Sequence, residues 1–241
     1  MTEILLQALI AGFGTCLGAA AVLCLGHLQA RSLSFLLALA SGIMGSVILL
    51  DLLPSSLRLG GAVSCLFGFL AGLLIITFAD LLISKMEFAN YSRHPSLLSM
   101  GYLIAIGIAL HDLPEGLAIA AGFSTPGSVG PMIALAIGLH NIPEGMATAA
   151  PLKAGGASTP RILTLNAAVS VVTPVGTLLG LLVLQTTDAL ISILLAFAAG
   201  AMTYIVRDKL IPVSRGYGKG FFILGLTLGF ILMSCVKLFF E

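Results

Sequence analysis

One heptapeptide is written twice in this chain, as Leu110-His111-Asp112-Leu113-Pro114-Glu115-Gly116 and, 29 residues on, as Leu139-His140-Asn141-Ile142-Pro143-Glu144-Gly145. Widened to Ala109–Ala121 against Gly138–Ala150, the copies share eight of thirteen residues. Each copy lies in an otherwise uncharged apolar segment long enough to cross a bilayer, so the fold must place His, Glu and Asp where an unpaired charge costs several kcal/mol. On a helix His111 and Glu115 stand four residues apart and share a face, as do His140 and Glu144. Imidazole with carboxylate is a borderline-hard ligand set, suited to Zn²⁺, Fe²⁺, Mn²⁺ or Cd²⁺ and poorly suited to Cu⁺. The pairs therefore point to a divalent metal ion.

Proline adds a second constraint. Pro114 has no N–H and leaves the carbonyl of Leu110 unbonded, as Pro143 does for Leu139, so both helices are expected to kink there. A freed carbonyl in lipid needs a partner, which a metal-bound water or the ion could supply. Gly116 and Gly145 leave room for a neighbouring helix. Kinked helices held by buried hydrogen bonds would explain one such copy. Two histidines and three carboxylates at membrane depth exceed what packing requires.

The rest of the chain is a frame for these segments. Of 241 residues, 59% are hydrophobic and 9% charged, and the mean hydropathy of +1.13 is that of a polytopic membrane protein. A net charge of +1 without basic clusters argues against nucleic acid as a partner. Cys16, Cys24, Cys65 and Cys235 fall in apolar segments without CxxC spacing and read as small core residues. Gly/Pro and polar punctuation marks eight spans in one domain covering 1–241: about 3–26, 33–53, 61–83, 97–124, 128–152, 161–185, 188–213 and 219–240.

Nine of the eleven Lys and Arg residues, Arg31, Lys85, Arg93, Lys153, Arg161, Arg207, Lys209, Arg215 and Lys219, border the connections after spans one, three, five and seven. Those connections are expected in the cytosol, with both termini outside the cell (inner or plasma) membrane. The first span follows Glu3 rather than a basic stretch and does not read as a cleaved signal. Spans four and five then cross in opposite directions, which makes the motif an inverted repeat about a site at the bilayer midplane, the arrangement of secondary transporters. GxxxG pairs at Gly14/Gly18, Gly68/Gly72, Gly176/Gly180 and Gly225/Gly229 mark close contacts in spans one, three, six and eight. Spans two, four, five and seven are left to line a pathway.

Three further residues are candidates for that pathway: Met44, Asp51 and Asp208. Asp51 reads equally as a lead-in for cations and as an interfacial aspartate. A transmembrane methionine such as Met44 is more often packing filler, and Asp208 lies between Arg207 and Lys209, which would partly neutralise it. Asp80 reads as interfacial, with Lys85 near it. His27 and His94 have no partner at ligand spacing.

HDLPEG and HNIPEG in consecutive helices resemble the paired signature of the ZIP family of divalent metal transporters, compact bacterial type. Met202–Pro212 resembles that family's seventh helix. The resemblance implies eight transmembrane helices, a principal metal site of His111, Glu115, His140 and Glu144, an adjoining second site to which Asp112 and Asn141 contribute, and import of Zn²⁺ foremost, with Fe²⁺, Mn²⁺ or Cd²⁺ in many members. Two departures stand out. Thr173 occupies the place, before Pro174-Val175-Gly176, where bacterial relatives often have a glutamate, while Asp112 replaces a frequent Asn. Between the third and fourth helices no histidine-rich run is present, so a loop-based metal sensor is not expected.

The expectation is thus an all-α integral membrane protein of eight helices, a transporter rather than an enzyme. Its partners are a divalent ion as transported substrate, not as cofactor, the lipid bilayer, and a second copy in a homodimer. The alternative is an intramembrane metal-dependent hydrolase using the same ligands to activate water. It lacks an HExxH arrangement, so Asp112 would have to act as its base.

Overall fold

The computed structural model describes residues 1–26, 28–84, 95–123, 129–182 and 187–240. Among them every regular element is helical: α1 Thr2–Cys24, α2 Ala30–Val47, α3 Leu53–Ser84, α4 Pro95–Phe123, α5 Val129–Ala154, α6 Thr159–Ser170, α7 Val172–Leu182, α8 Asp188–Tyr204, α9 Ile211–Tyr217 and α10 Lys219–Phe240. His27, Lys85, Arg93 and His94 lie outside the described residues.

Prolines shape the helices in three ways. Two π-helical turns, Ile48–Leu52 and Ile205–Leu210, join α2 to α3 and α8 to α9. Each precedes a proline, Pro54 or Pro212, which cannot donate to the carbonyl four residues back and whose ring crowds it. A wider i→i+5 turn relieves that conflict. The carbonyl that Pro54 abandons, Leu50 O, instead accepts a hydrogen bond from Lys237 Nζ of α10. Pro174 likewise has no N–H for Ser170, and there the expected sixth span divides at Val171 into α6 and α7. α4 and α5, by contrast, each continue through their motif proline as one helix.

Six helical runs are long and apolar enough to cross a membrane: Thr2–Cys24, Ala30–Ile83, Ser96–Phe123, Thr159–Leu182, Asp188–Tyr217 and Lys219–Leu238. The sequence suggested a loop over residues 54–60, yet the chain is helical through them, in the 54-residue run Ala30–Ile83 that has one non-helical residue inside. At 1.5 Å per residue such a run is about 80 Å long, against a hydrocarbon core of about 30 Å. It breaks at Gly61, whose φ of 71° and ψ of −177° suit glycine. α5 is not among the six, since its His, Asn, Glu and prolines dilute its hydropathy.

The helices pack in two groups. α3 lies along α8, and α2 along α10 and α9; α1 lies along α5, α6 and α7, and α4 along α7 and α5. The GxxxG glycines sit where backbones meet. A Cβ on Gly18 would stand 1.9 Å from Ile142 O, on Gly72 1.9 Å from Phe197 O, on Gly176 2.3 Å from Leu113 O, and on Gly229 2.2 Å from Leu39 O. A methyl at any of them would force the helices apart. At the end of α1, Lys153 Nζ of α5 donates to Val22 O (2.9 Å), which also accepts the Leu25 N–H (3.3 Å), and to Leu23 O (3.0 Å), placing a cation at the negative end of the helix dipole. Large apolar side chains such as Val63, Phe67, Leu74, Ile223 and Leu238 face outward, as a lipid-facing surface requires.

The cysteines do not share one environment, contrary to the sequence expectation. Cys65 is buried, Cys16 half-buried with Sγ 3.0 Å from Ser170 Oγ, and Cys24 and Cys235 are exposed. In a bilayer an exposed apolar thiol meets lipid and carries no desolvation penalty.

Candidate metal centre

α4 and α5 pack against each other, which brings the two copies of the heptapeptide face to face. The motif glycines set the packing on their other sides: a Cβ on Gly116 would lie 2.2 Å from Thr173 O of α7, and one on Gly145 1.9 Å from Thr15 O of α1. Both motif helices are thereby sealed on their outer sides. His111 and Asp112 are fully buried, and Glu115, His140 and Glu144 are at most 6% exposed.

At the centre both histidines turn Nε2 toward one carboxylate oxygen. Glu115 Oε1 lies 2.6 Å from His140 Nε2 in a hydrogen bond across the helices, and 2.7 Å from His111 Nε2 within its own helix. Glu144 Oε1 is 3.5 Å from His111 Nε2, and the two rings stand 6.1 Å apart at a 36° tilt. The His111 contact is close but poorly aligned, so its Nε2 makes no hydrogen bond. Glu115 Oε2, Glu144 Oε2 and both Nδ1 atoms are also buried without a partner. Buried polar groups are ordinarily satisfied, so this concentration of orphans asks for a ligand.

The donor geometry suits a cation. One ligand atom from each of His111, His140 and Glu144 lies within 4.8 Å of the others, and the same holds for His111, Asp112 and Glu115. Donors bonded tetrahedrally to one ion at about 2.1 Å stand about 3.4 Å apart, so such a set would draw together by up to about 1.4 Å on binding. Asn141, also fully buried, donates Nδ2 to Ala11 O at 3.1 Å, leaving Oδ1 without a partner.

The three pathway candidates are not part of this cluster. Met44 is 1% exposed in the apolar core, with Val47, Ile104 and Met202 in the same cluster. Asp51, on the first π turn, lines a cavity with Ser46, Ser55, Arg58, Lys237 and Ala136, the last one turn before His140 in α5. Asp208 is exposed on the second π turn, and Lys209 beside it pairs instead with Asp80 of α3 at 2.5 Å. The same Asp80 accepts a 2.6 Å hydrogen bond from the Tyr204 hydroxyl. Asp80 was expected near Lys85, outside the described residues; its described partners come from more than a hundred residues away, a pairing that local sequence does not signal.

Two polar contributions were not foreseen. Thr148, one turn beyond Glu144, donates to Asn166 Oδ1 of α6 at 2.7 Å, tying the far side of α5 to a fully buried amide. Thr15 of α1 is also fully buried and its Oγ1 has no partner. A lone threonine in an apolar helix carries little signal in sequence.

Apolar helices of membrane-spanning length around a buried histidine–carboxylate cluster define a multi-pass membrane protein. The family model described as ZIP Zinc transporter matches residues 89–237. The zinc transporter ZupT of Chlorobium chlorochromatii is 31% identical over 97% of this chain and 96% of its own. That of Streptococcus mutans is 29% identical over 99% and 97%, and the zinc transporter GufA of Myxococcus xanthus is 34% identical over 68% and 65%. The chain belongs to the ZIP family. The family is one of transporters and not of enzymes, which leaves the hydrolase alternative without support.

Proposed function

We propose that the protein imports divalent transition-metal ions into the cytosol, Zn²⁺ foremost and Fe²⁺, Mn²⁺ or Cd²⁺ as further candidates, through one site made by His111, Glu115, His140 and Glu144. The observation that carries this is the convergence of two Nε2 atoms on Glu115 Oε1 in a fully enclosed, partner-poor centre. Two neutral imidazoles and two carboxylates supply a charge of −2, which cancels one divalent ion. Without the ion, a proton in the His140–Glu115 hydrogen bond takes part of that role; binding expels it, so affinity depends on pH.

In this reading the chain crosses the inner or plasma membrane eight times, with the long run Ala30–Ile83 crossing twice about Gly61 and α5 as the fifth crossing. Both termini lie outside, in keeping with the distribution of Lys and Arg. The cavity at Asp51 opens beside α5 and serves as the outer lead-in. The group α1, α4–α7 carries the site, and the group α2, α3, α8–α10 is the frame against which it moves. Two π turns join helices within this frame, α2 to α3 and α8 to α9.

Uptake of labelled Zn²⁺ by proteoliposomes tests the assignment. Wild-type protein should accumulate the metal and His140→Ala should not, with equal insertion of both. Wild-type rates in His140→Ala would remove the site from this centre.

A further inference from the structure

Between the two helix groups, at the end of the bundle where α2 and α10 begin, lies a cavity of about 720 Å³, within the size range of small-molecule sites. Leu25, at the end of α1, and Met146 of α5 wall it on one side, and Phe35, Leu36, Phe221 and Leu224 of α2 and α10 on the other. α2 and α10 run in parallel here: a Cβ on Gly225 would meet Phe35 O, and one on Gly229 would meet Leu39 O. Phe221 is therefore level with Arg31, and Leu224 with Phe35 one turn deeper.

The cavity is polar at its shallow end and apolar below. Gln29, Arg31 and Ser32 form the mouth, with the Arg31 guanidinium 5.9 Å from the centre of the Phe221 ring, within reach of a cation–π contact. Among the described residues no carboxylate pairs with Arg31. A ring engages a guanidinium through its face, whereas the five N–H donors point out around its edge and call for an acceptor. The same mouth is the N-terminus of α2, whose first N–H groups the Gln29 side chain does not cap and where an anion is favoured.

Two features decide what fits. The mouth is cationic without a counter-charge, so the occupant carries an anion. Below it Leu25, Phe221 and Leu224 are exposed on the surface that a bilayer covers, so the body of the occupant is apolar and arrives from the side. A soluble anion would leave the lower walls bare, and a neutral chain would leave Arg31 uncompensated. A phospholipid with a net negative headgroup supplies both parts, and basic side chains at a membrane surface draw such lipids.

We propose that this cavity binds an anionic phospholipid of the bilayer, its headgroup phosphate on Arg31 and an acyl chain along Leu36, Met146 and Leu224. Leu25 and Met146 belong to the helix group that carries the metal centre, and α2 and α10 to the other, so the lipid touches both. Met146 lies two residues beyond Glu144. Binding stands on the cavity alone, whereas an influence on uptake rests on the function proposed above.

The test is thermal unfolding of the full-length protein in detergent, titrated with dioleoyl phosphatidylglycerol, dioleoyl phosphatidylcholine or glycerol 3-phosphate. Its outcome is independent of whether metal is transported. Phosphatidylglycerol should raise the midpoint saturably and beyond phosphatidylcholine, and glycerol 3-phosphate should leave it unchanged. Arg31→Gln should raise the half-saturating phosphatidylglycerol concentration about tenfold or more, with Arg31→Lys between the two. Arg215→Gln, which removes an exposed cation outside the cavity, should shift it much less. Equal effects of the two lipids would reduce the cavity to ordinary lipid contact, and an equal effect of glycerol 3-phosphate would make it a site for a soluble anion; either overturns the proposal. So would equal shifts in Arg31→Gln and Arg215→Gln, the mark of diffuse surface attraction.

Discussion

Glu115 Oε1 and His140 Nε2, 2.6 Å apart, form the shorter of two side-chain contacts between the copies of the motif among the described residues, the other being His111 Nε2 to Glu144 Oε1 at 3.5 Å. The bond spans α4 and α5, and its carboxylate oxygen is the one that His111 Nε2 also approaches at 2.7 Å. A single atom therefore organises both histidines. Glu115→Gln keeps the shape and one acceptor but removes the charge and adds a donor. Zn²⁺ uptake should fall at least about 100-fold, the upper end of what a ligand-shell change does to a metal site, with expression retained. Uptake within threefold of wild type would show that this oxygen does not hold the ion.

Binding should weaken as the medium is acidified. Histidine nitrogen and carboxylate oxygen bind metal only when unprotonated, so each added proton competes with the ion. Calorimetric titration of purified protein with Zn²⁺ in buffers of different ionisation enthalpy, at pH near 8 and near 6, should give lower affinity at the lower pH and net proton release on binding. The same affinity at both would mean that the ion is held by groups that do not titrate there.

Gly116→Ala tests the packing that seals the centre. The new Cβ would fall 2.2 Å from Thr173 O, a backbone atom that cannot swing away. Overpacking of this kind costs about 1–3 kcal/mol, read as a lower unfolding midpoint in detergent. Gly45→Ala, where nothing lies within 4 Å of the added carbon, is the control and should leave the midpoint unchanged or raise it, as alanine favours helix over glycine.

The Asp80 cluster is a structural fastener between α3 and α8. Tyr204→Phe removes one hydrogen bond and should destabilise by about 1 kcal/mol. A double-mutant cycle of Asp80→Asn with Lys209→Met should give coupling of about 0.2–1 kcal/mol, because the pair is partly exposed. Transport should persist in all three variants. Loss of uptake in Tyr204→Phe would mean that the fastener takes part in the transport cycle.

Orientation can be tested at Ala157, in the connection between α5 and α6, and at Ser55, in the cavity with Asp51. In a background with the four native cysteines replaced, a single cysteine at Ala157 should react with impermeant maleimide only from the cytosolic side. One at Ser55 should react only from outside. The reverse pattern would invert the proposed direction of import.

The centre was legible because its residues come in a repeat. Two copies of His-x-x-Pro-Glu-Gly at helical spacing put His and Glu on one face whatever else the chain does, and the glycines announce neighbours that are indeed in contact. What escaped was everything set by distant partners. Asp80 meets Lys209 only after α3 and α8 pack, and the orphaned hydroxyl of Thr15 depends on Asn141 having taken the Ala11 carbonyl. The helical continuity of α2 and α3 was hidden by Pro54, which usually marks a break; a π turn and a lysine from α10 absorb its effect. The π turns themselves have no signature beyond an Asp a few residues ahead of a proline.

Lys153 reaches the last carbonyls of α1 across 131 residues of chain. During synthesis α1 leaves the ribosome before α5, and its C-terminal end lacks this cation until four further helices have been made. Packing of the end of α1 therefore finishes out of chain order, gaining this contact only when α5 arrives. Truncations ending before Lys153 should leave α1 sensitive to proteolysis at Leu25, and truncations ending just after it should not.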